Sequence, residues 1–330
     1  MQQTNSPVGS NTGASPYVSV VIPVYNEEEN LPELARRLLA TLDAQPYTYE
    51  IIFVDDGSAD RSWEIISHLH AEHPDRVRGL QFIRNFGQHP AIFAGFQAVR
   101  GQVIVTLDAD LQNPPEEIPK LVAKIEAGYD TVGGWREIRH DSFFRRLPSA
   151  FINWLMSKVT GVYLRDYGCM LRAYRRSVID SINQCHESTS FIPALANSFA
   201  RRITEVPVEH AERTRGQSKY SLVKLIRLNF DFMTGFSHLP IHFVGITGLL
   251  IALVGLGFGV FLILRRLWVG PEVEGVFTLF AILFVFAGLQ MFGLALIGEY
   301  VGRIYREVRH RPRFVVREEL GERPELKRAE

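Results

Sequence analysis

Gln102-Val-Ile-Val-Thr-Leu-Asp-Ala-Asp-Leu-Gln112 joins an apolar run directly to a pair of carboxylates, and the fold can be read outward from it. The run Gln102–Leu107 is rich in β-branched residues and shows no polar alternation, which predicts a strand covered on both faces. Three earlier runs have the same character: Val18–Tyr25, Tyr49–Val54 and Val77–Ile83. Amphipathic stretches lie between and after them, at roughly Glu27–Leu42, Arg61–His70, Pro90–Val99 and Glu116–Ala127. Strand and helix alternating at this spacing predict an α/β domain with a Rossmann-like, mostly parallel sheet.

Each predicted strand ends in polar residues. Pro23, Tyr25, Asn26 and Glu27 close the first, and Asp55-Asp56-Gly57-Ser58 follows the second. Arg84-Asn85-Phe86-Gly87 follows the third, and Asp108-Ala109-Asp110 the fourth. All four clusters fall at the C-terminal edge of the sheet, where open α/β folds bind ligands. Asp108 and Asp110 offer two hard oxygen ligands in one turn, and Gln112 a third. Mg²⁺ or Mn²⁺ suits such ligands and commonly completes its shell with substrate phosphates. An isolated Asp-x-Asp is often only a solvated or capping turn, and Asn113-Pro114-Pro115 does open the next helix. The shared edge with Asp55 and Asp56 is what makes this one a candidate site. No Gly-x-Gly-x-x-Gly follows the first strand and no P-loop motif occurs, so dinucleotide and P-loop readings fail.

The 330-residue chain carries 36 basic and 36 acidic residues, so its balance makes no electrostatic case for nucleic acid. Its only cysteines, Cys169 and Cys185, do not amount to a disulfide framework. Their irregular spacing with His186 and His210 fits ordinary thiols better than a zinc site. Residues 1–16 read as a polar, disordered tail without a signal peptide. A catalytic domain is expected over 17–219. Beyond Gly134 the pattern turns irregular. Pro148–Val162 and Ser221–Phe236 mix aromatic, aliphatic and basic residues, as helices at a lipid interface or packed on a sheet do. The second is assigned to the interface, over 220–240.

Ile241–Leu264 and Val276–Gly298 are uncharged and long enough to cross a bilayer, predicting two transmembrane helices. Of lysine and arginine, the link 265–275 carries only Arg265 and Arg266. Lys219, Lys224 and Arg227 precede the spans, and Arg303, Arg306, Arg309, Arg311, Arg313 and Arg317 follow them. The positive-inside rule then places the catalytic domain and both termini in the cytoplasm, the link outside and 299–330 as a cytoplasmic tail.

Val20-Val-Ile-Pro-Val-Tyr-Asn-Glu27, Val54-Asp-Asp-Gly-Ser58 and Asp108-Ala-Asp-Leu-Gln112 together resemble the GT-A glycosyltransferases of family 2. With the C-terminal spans, the chain is similar to the polyprenyl-phosphate glycosyltransferases, relatives of dolichol-phosphate mannose synthase. Asp166-Tyr-Gly-Cys-Met-Leu-Arg-Ala-Tyr-Arg-Arg176, Phe191-Ile-Pro193, Ala200-Arg-Arg202, His210-Ala-Glu-Arg213 and Gly298-Glu-Tyr-Val-Gly-Arg-Ile-Tyr305 narrow the resemblance further. They point to the undecaprenyl-phosphate 4-deoxy-4-formamido-L-arabinose transferases, over about Val18–Val316. One departure is Gly133-Gly134-Trp135-Arg136, where the pattern leads us to expect Gly-Thr and a small residue before the arginine. The Q-x-x-R-W signature of processive synthases is absent, which favours transfer of a single sugar.

The resemblance implies inverting transfer from a UDP-sugar to undecaprenyl phosphate at the bacterial inner membrane, in lipid A modification and resistance to cationic peptides such as polymyxin. It also implies a homo-oligomer, a tetramer in that subgroup. Pro23, Tyr25, Glu27, Asp55, Asp56 and Arg84 would hold the nucleotide, while Asp108, Asp110 and Gln112 would hold the metal on the diphosphate. Asp166 would be a base or positioning carboxylate, or else the cap of a tight turn. Arg136, Arg145, Arg146, Arg213 and Lys219 are candidates to grip the acceptor phosphate, or surface and headgroup residues. The rival readings are the same transfer with another sugar, such as glucose, and a non-catalytic membrane module that binds nucleotide.

Overall fold

The computed structural model describes residues 15–136, 166, 168–185, 191–209, 239–269, 275–309 and 311–321. The chain divides into two compact units, Met1–Gln217 with Pro312–Glu330, and Ser218–Arg311.

The first unit is an α/β domain. Its strands are β1 (Val18–Val24), β2 (Tyr49–Asp55), β3 (Val77–Phe82), β4 (Val103–Thr106), β5 (Thr131–Arg136), β6 (Arg172–Arg175), β7 (Ile203–Val208) and β8 (Val316–Leu320). They form one sheet in the order β7-β5-β6-β4-β1-β2-β3-β8. β1 pairs in parallel with β2 and β4, and β2 with β3, so the four apolar runs of the sequence form the parallel centre. β6 runs antiparallel between β4 and β5, and β8 antiparallel along β3.

Two apolar layers cover the sheet. Val18, Val20, Ile22 and Val24 pack beneath α1 (Leu31–Asp43), α2 (Ser62–Glu72) and α4 (Ile118–Glu126). Val21, Ile52 and Val54 face α3 (Gln88–Ala98), α5 (Arg176–Asn183) and α6 (Ile192–Phe199). In α1 the buried Leu31, Leu34, Leu38 and Leu42 recur at three- and four-residue spacing, which turns one apolar face to the sheet. That helix starts at Leu31, four residues later than the amphipathic pattern suggests. Asn26 adopts φ 55°, and its side-chain oxygen accepts the Ala59 amide at 2.8 Å. Residues 26–30 are therefore spent on a turn at the sheet edge.

Residues 299–330, expected to be a tail, contain β8. Its Val-Arg-Glu-Glu-Leu sequence hides the strand because an edge strand with a solvated face need not be apolar. Its two glutamates have partners. Trp63 Nε1 donates to Glu318 at 3.3 Å, and Arg78 lies 3.8 Å from Glu319. Arg78 is itself buried, with its guanidinium on the fully buried Glu50 at 3.2 Å and on the Ala98 carbonyl at 2.7 Å.

The second unit contains two long helices, α7 (Leu239–Val269) and α8 (Val276–Val308), of 31 and 33 residues. Among the described residues only one window, Val285–Gly302, is long and apolar enough to cross a membrane. In α7 the corresponding stretch is the shorter Phe243–Gly255, below the roughly 20 residues that a bilayer core requires. Among the described residues the expected pair of spans, 241–264 and 276–298, is thus represented by one, displaced towards the C-terminus.

Candidate functional site

The loops after β1, β2, β3 and β4 enclose a cleft of about 330 Å³ at the C-terminal edge of the sheet. Pro23, Tyr25, Glu27, Asp56, Asp108 and Asp110 from the sequence reading all line it, with Asn85, Gly87 and Gln88 beside them.

The floor is built by the turn after β2. Asp56 is 3% exposed, and its two carboxylate oxygens accept the amides of Phe86 at 2.6 Å and Gly87 at 2.8 Å. This carboxylate therefore shapes the loop after β3 as well as facing the cleft. Burial raises its pKa, while the two backbone bonds act in the opposite direction. Gly57 makes the close approach possible. It sits at φ 68°, and a Cβ there would fall on the Arg84–Asn85 backbone. Asp55 turns the other way, accepting the Ser58 amide at 3.1 Å and Gln81 Nε2 at 3.3 Å. Asp56, not Asp55, is the member of that pair that lines the cleft.

Asp108 and Asp110 reach the same cleft from the loop after β4. Asp110 Oδ1 accepts the Gln112 amide at 3.2 Å, in a turn that requires Leu111 to adopt φ 60°. A left-handed leucine costs about 1–3 kcal/mol, and such conformations cluster at functional sites. Gln88 Nε2 donates to Asp108 Oδ1 at 2.6 Å. Burial pushes Asp108 up to about 7, and the charges of Asp110 and Glu27 add to it; Gln88 and Arg136 oppose the rise. Several carboxylates thus act on one another across the cleft, a surplus of negative charge that a hard divalent cation would relieve. Among the described residues no three His, Cys, Asp or Glu side chains form a metal cage. The donor set fits a cation that takes its remaining oxygens from a bound phosphate.

Other expected site residues lie elsewhere. Gln112 does not line the cleft with its side chain, and Arg84 lies over the Phe86 ring, 4.3 Å from its centroid. Arg136, at the end of β5, pairs with Asp166 in a fork, Nε to Oδ2 at 2.6 Å and a terminal nitrogen to Oδ1 at 3.0 Å. Asp166 is almost fully buried. It also accepts the Gly168 amide, and the buried Arg172 donates to its carbonyl at 2.8 Å. The base candidate and one phosphate-grip candidate are therefore one ion pair. Arg145, Arg146, Arg213 and Lys219 lie outside the described residues. Gln88 went unseen in the sequence because the helix was expected to start at Pro90; the polar residue ending the loop after β3 was the available signal.

The description Glycosyl transferase family 2 matches residues 19–182. The undecaprenyl-phosphate 4-deoxy-4-formamido-L-arabinose transferase of Edwardsiella ictaluri is 54% identical over 302 residues, 91% of this chain and 93% of the relative. The protein of the same description from Shewanella sediminis is 55% identical over 306 residues, 92% of each chain. This chain belongs to glycosyl transferase family 2. Among solved structures, this family 2 chain is similar to glucosyl-3-phosphoglycerate synthase from Mycobacterium tuberculosis in complex with Mn²⁺, UDP and phosphoglyceric acid. The sequence identity is 16%, over 67% of this chain and 77% of that one, with a TM-score of 0.48.

Proposed function

We propose that this family 2 enzyme transfers 4-deoxy-4-formamido-L-arabinose from UDP to undecaprenyl phosphate, inverting the anomeric centre, in lipid A modification and polymyxin resistance. The observation that carries the reading is identity above half over more than 300 residues. It reaches well beyond the matched segment 19–182, into the part of the chain where sugar and acceptor would be selected.

In this reading Pro23, Tyr25, Glu27 and Asp56 hold the nucleotide, with Tyr25 half exposed at the mouth and open to a base. Asp55 and Gln81 brace the turn beneath. Asp108 and Asp110 hold Mg²⁺ or Mn²⁺, with Gln112 orienting Asp110 through its amide. The ion supplies charge neutralisation on the diphosphate when bound. A phosphate oxygen of the acceptor attacks the anomeric carbon as the bond to the UDP oxygen breaks, and UDP leaves with the electron pair. A phosphate monoester has its second pKa near 6, so at neutral pH the nucleophile is already largely a dianion. It therefore needs orientation more than deprotonation. Asp166, held by Arg136 through both oxygens, suits the role of an anchor for that guanidinium better than that of a base. Arg136 in turn is the described candidate for facing a phosphate, joined in this reading by Arg145, Arg146, Arg213 and Lys219.

The reading extends to the membrane. α8 anchors the enzyme, and α7, whose described apolar stretch is short but whose 31 residues are enough to reach across a bilayer, crosses with it, so that the arginines after α8 and the catalytic unit stay on the cytoplasmic side of the inner membrane. A reporter fused after Arg317 should score cytoplasmic, and a periplasmic score would exclude two crossings. The homo-tetramer implied by the subgroup is checked by light scattering of the detergent-solubilised protein.

The central test incubates enzyme and undecaprenyl phosphate with the UDP-linked formamido-arabinose or with UDP-glucose, and reads the lipid product by mass spectrometry. Transfer from the first donor alone is expected, and efficient transfer from UDP-glucose alone would overturn the donor assignment.

A further inference from the structure

We propose that the segment entering β8 is a positioning element for the nucleotide cleft, acting through Phe314 on the loop after β3. The inference rests on the reading of that cleft as the site for a nucleoside diphosphate.

The loop 83–88 supplies Asn85, Gly87 and Gln88 to the cleft. From the inside it is held by the Asp56 carboxylate on the Phe86 and Gly87 amides and by the backbone approach over Gly57. From the outside it is held by rings. Phe86 meets Phe82 edge-on, with centroids 5.7 Å apart, and Phe82 is stacked on Phe314 at 5.1 Å with an interplanar angle of 9°. Phe314 belongs to a part of the chain far outside the segment matched by the family description.

The backbone aims Phe314 at this place. β8 pairs with β3 from Gly79 to Phe82, and the register slips between Gln81 and Phe82. Such irregularities turn the chain and re-aim side chains. Beyond the slip the pairing continues, with the Ile83 amide donating to the Val315 carbonyl at 3.1 Å. Main-chain pairing thus reaches the residue just before Arg84. Arg313 fastens the start of the segment, lying 4.5 Å from the centroid of Phe93 in α3 and donating to the Cys185 carbonyl at 2.7 Å. α3 is the helix that begins with Gln88, the partner of Asp108. Two routes therefore lead from residues 313–315 to the cleft: through Phe82 and Phe86 to the Asp56-bound amides, and through Phe93 to the helix that carries Gln88.

Phe314 touches none of the cleft-lining residues in these contacts, so it is a positioning residue rather than a catalytic one. Its removal should loosen the loop and weaken nucleotide binding, leaving the acceptor side unaffected. Aromatic pairs contribute about 0.5–1.5 kcal/mol beyond area burial. Lost entirely from the bound state, that corresponds to a roughly two- to twelvefold weaker complex.

The test uses the full-length enzyme in detergent, with UDP and Mn²⁺ as the titrated probe and undecaprenyl phosphate as the varied acceptor. Phe314→Ala should raise the dissociation constant for UDP about two- to twelvefold while the acceptor KM stays unchanged. Phe314→Leu, which keeps bulk over Phe82, should fall between Ala and the parent. It also serves as the readout if the alanine variant does not fold. UDP binding at parental strength in both variants, or equal weakening of donor and acceptor, would overturn the proposal. Asp110→Asn is the control for the underlying reading. If it leaves UDP–Mn²⁺ binding unchanged, the cleft assignment falls and this inference with it. If Asp110→Asn weakens binding and the Phe314 variants do not, only the positioning role is refuted.

Discussion

Asp166→Asn replaces a carboxylate by its near-isostere and tests what the Arg136–Asp166 fork is for. In the parent, one oxygen faces Arg136 Nε at 2.6 Å and the other faces a terminal guanidinium nitrogen at 3.0 Å. The amide keeps one acceptor and turns an NH₂ group towards a guanidinium that can only donate. Removing one partner of a fully buried pair costs about 3–5 kcal/mol. Here the Asp166 side chain is 3% exposed but that of Arg136 is 25% exposed. Solvent screening lowers the figure, and about 2 kcal/mol is the appropriate scale. If all of it is expressed as misplacement of Arg136, kcat/KM falls roughly 30-fold. The assay is a double-mutant cycle on kcat/KM with Asp166→Asn, Arg136→Gln and the pair. Residues acting as one unit give a double variant little worse than the more damaging single. Strictly additive losses would refute the anchor role and return Asp166 to the position of an independent base. A pH profile in Asp166→Asn that loses a limb present in the parent would point the same way.

Three further outcomes follow from packing and burial. Gly95→Ala should destabilise the catalytic unit despite alanine's helix propensity advantage of about 1 kcal/mol. A Cβ at Gly95 would collide with the buried Val21 side chain, at an overpacking cost of about 1–3 kcal/mol. Thermal melting should show a lower Tm that Val21→Ala partly restores, and an unchanged or raised Tm would contradict the packing. His89 has its pKa lowered to about 4 by burial, and its Nδ1 is buried without a partner among the described residues. The folded state therefore resists protonation while the unfolded chain takes up a proton near 6.5, so stability should fall as pH drops from about 6.5 towards 4. The difference in Tm between parent and His89→Gln should widen or close across that window, and a constant difference from pH 7 to 4 would refute it. Asp110→Asn should reduce transfer roughly 100-fold or more with an unchanged circular dichroism spectrum. Turnover near the parental rate would dismiss its place at the diphosphate.

The centre of the sheet was legible because β1, β2 and β4 are buried on both faces, and such strands have to be written in valine and isoleucine. Asp108, Asp110, Asp56 and Tyr25 were legible for a related reason: each follows one of those strands directly. β6 was not, since Arg172-Ala-Tyr-Arg175 looks polar. Arg172 is fully buried, with its guanidinium on the carbonyls of Cys169 and Asp166, both at 2.8 Å. Nor could sequence pair Arg136 with Asp166, because contact across 30 positions is made by the sheet and by no local pattern. Asp55 and Asp56 look equivalent in a string of letters. Only the turn at Gly57 decides which of them faces the cleft.

The edge position of β8 has a consequence for the order in which the enzyme is completed. Synthesis runs from the N-terminus, so every strand up to β7 and both long helices leave the ribosome before residues 316–320 exist. Until then β3 is an open edge, offering unpaired amides and carbonyls to any other extended chain. A nascent or truncated protein that stops near residue 217 holds nearly the whole α/β core and still carries that adhesive border. Its last strand is made after the helices that separate it in sequence from the rest of its sheet, so the α/β unit is finished only once both long helices have been synthesised.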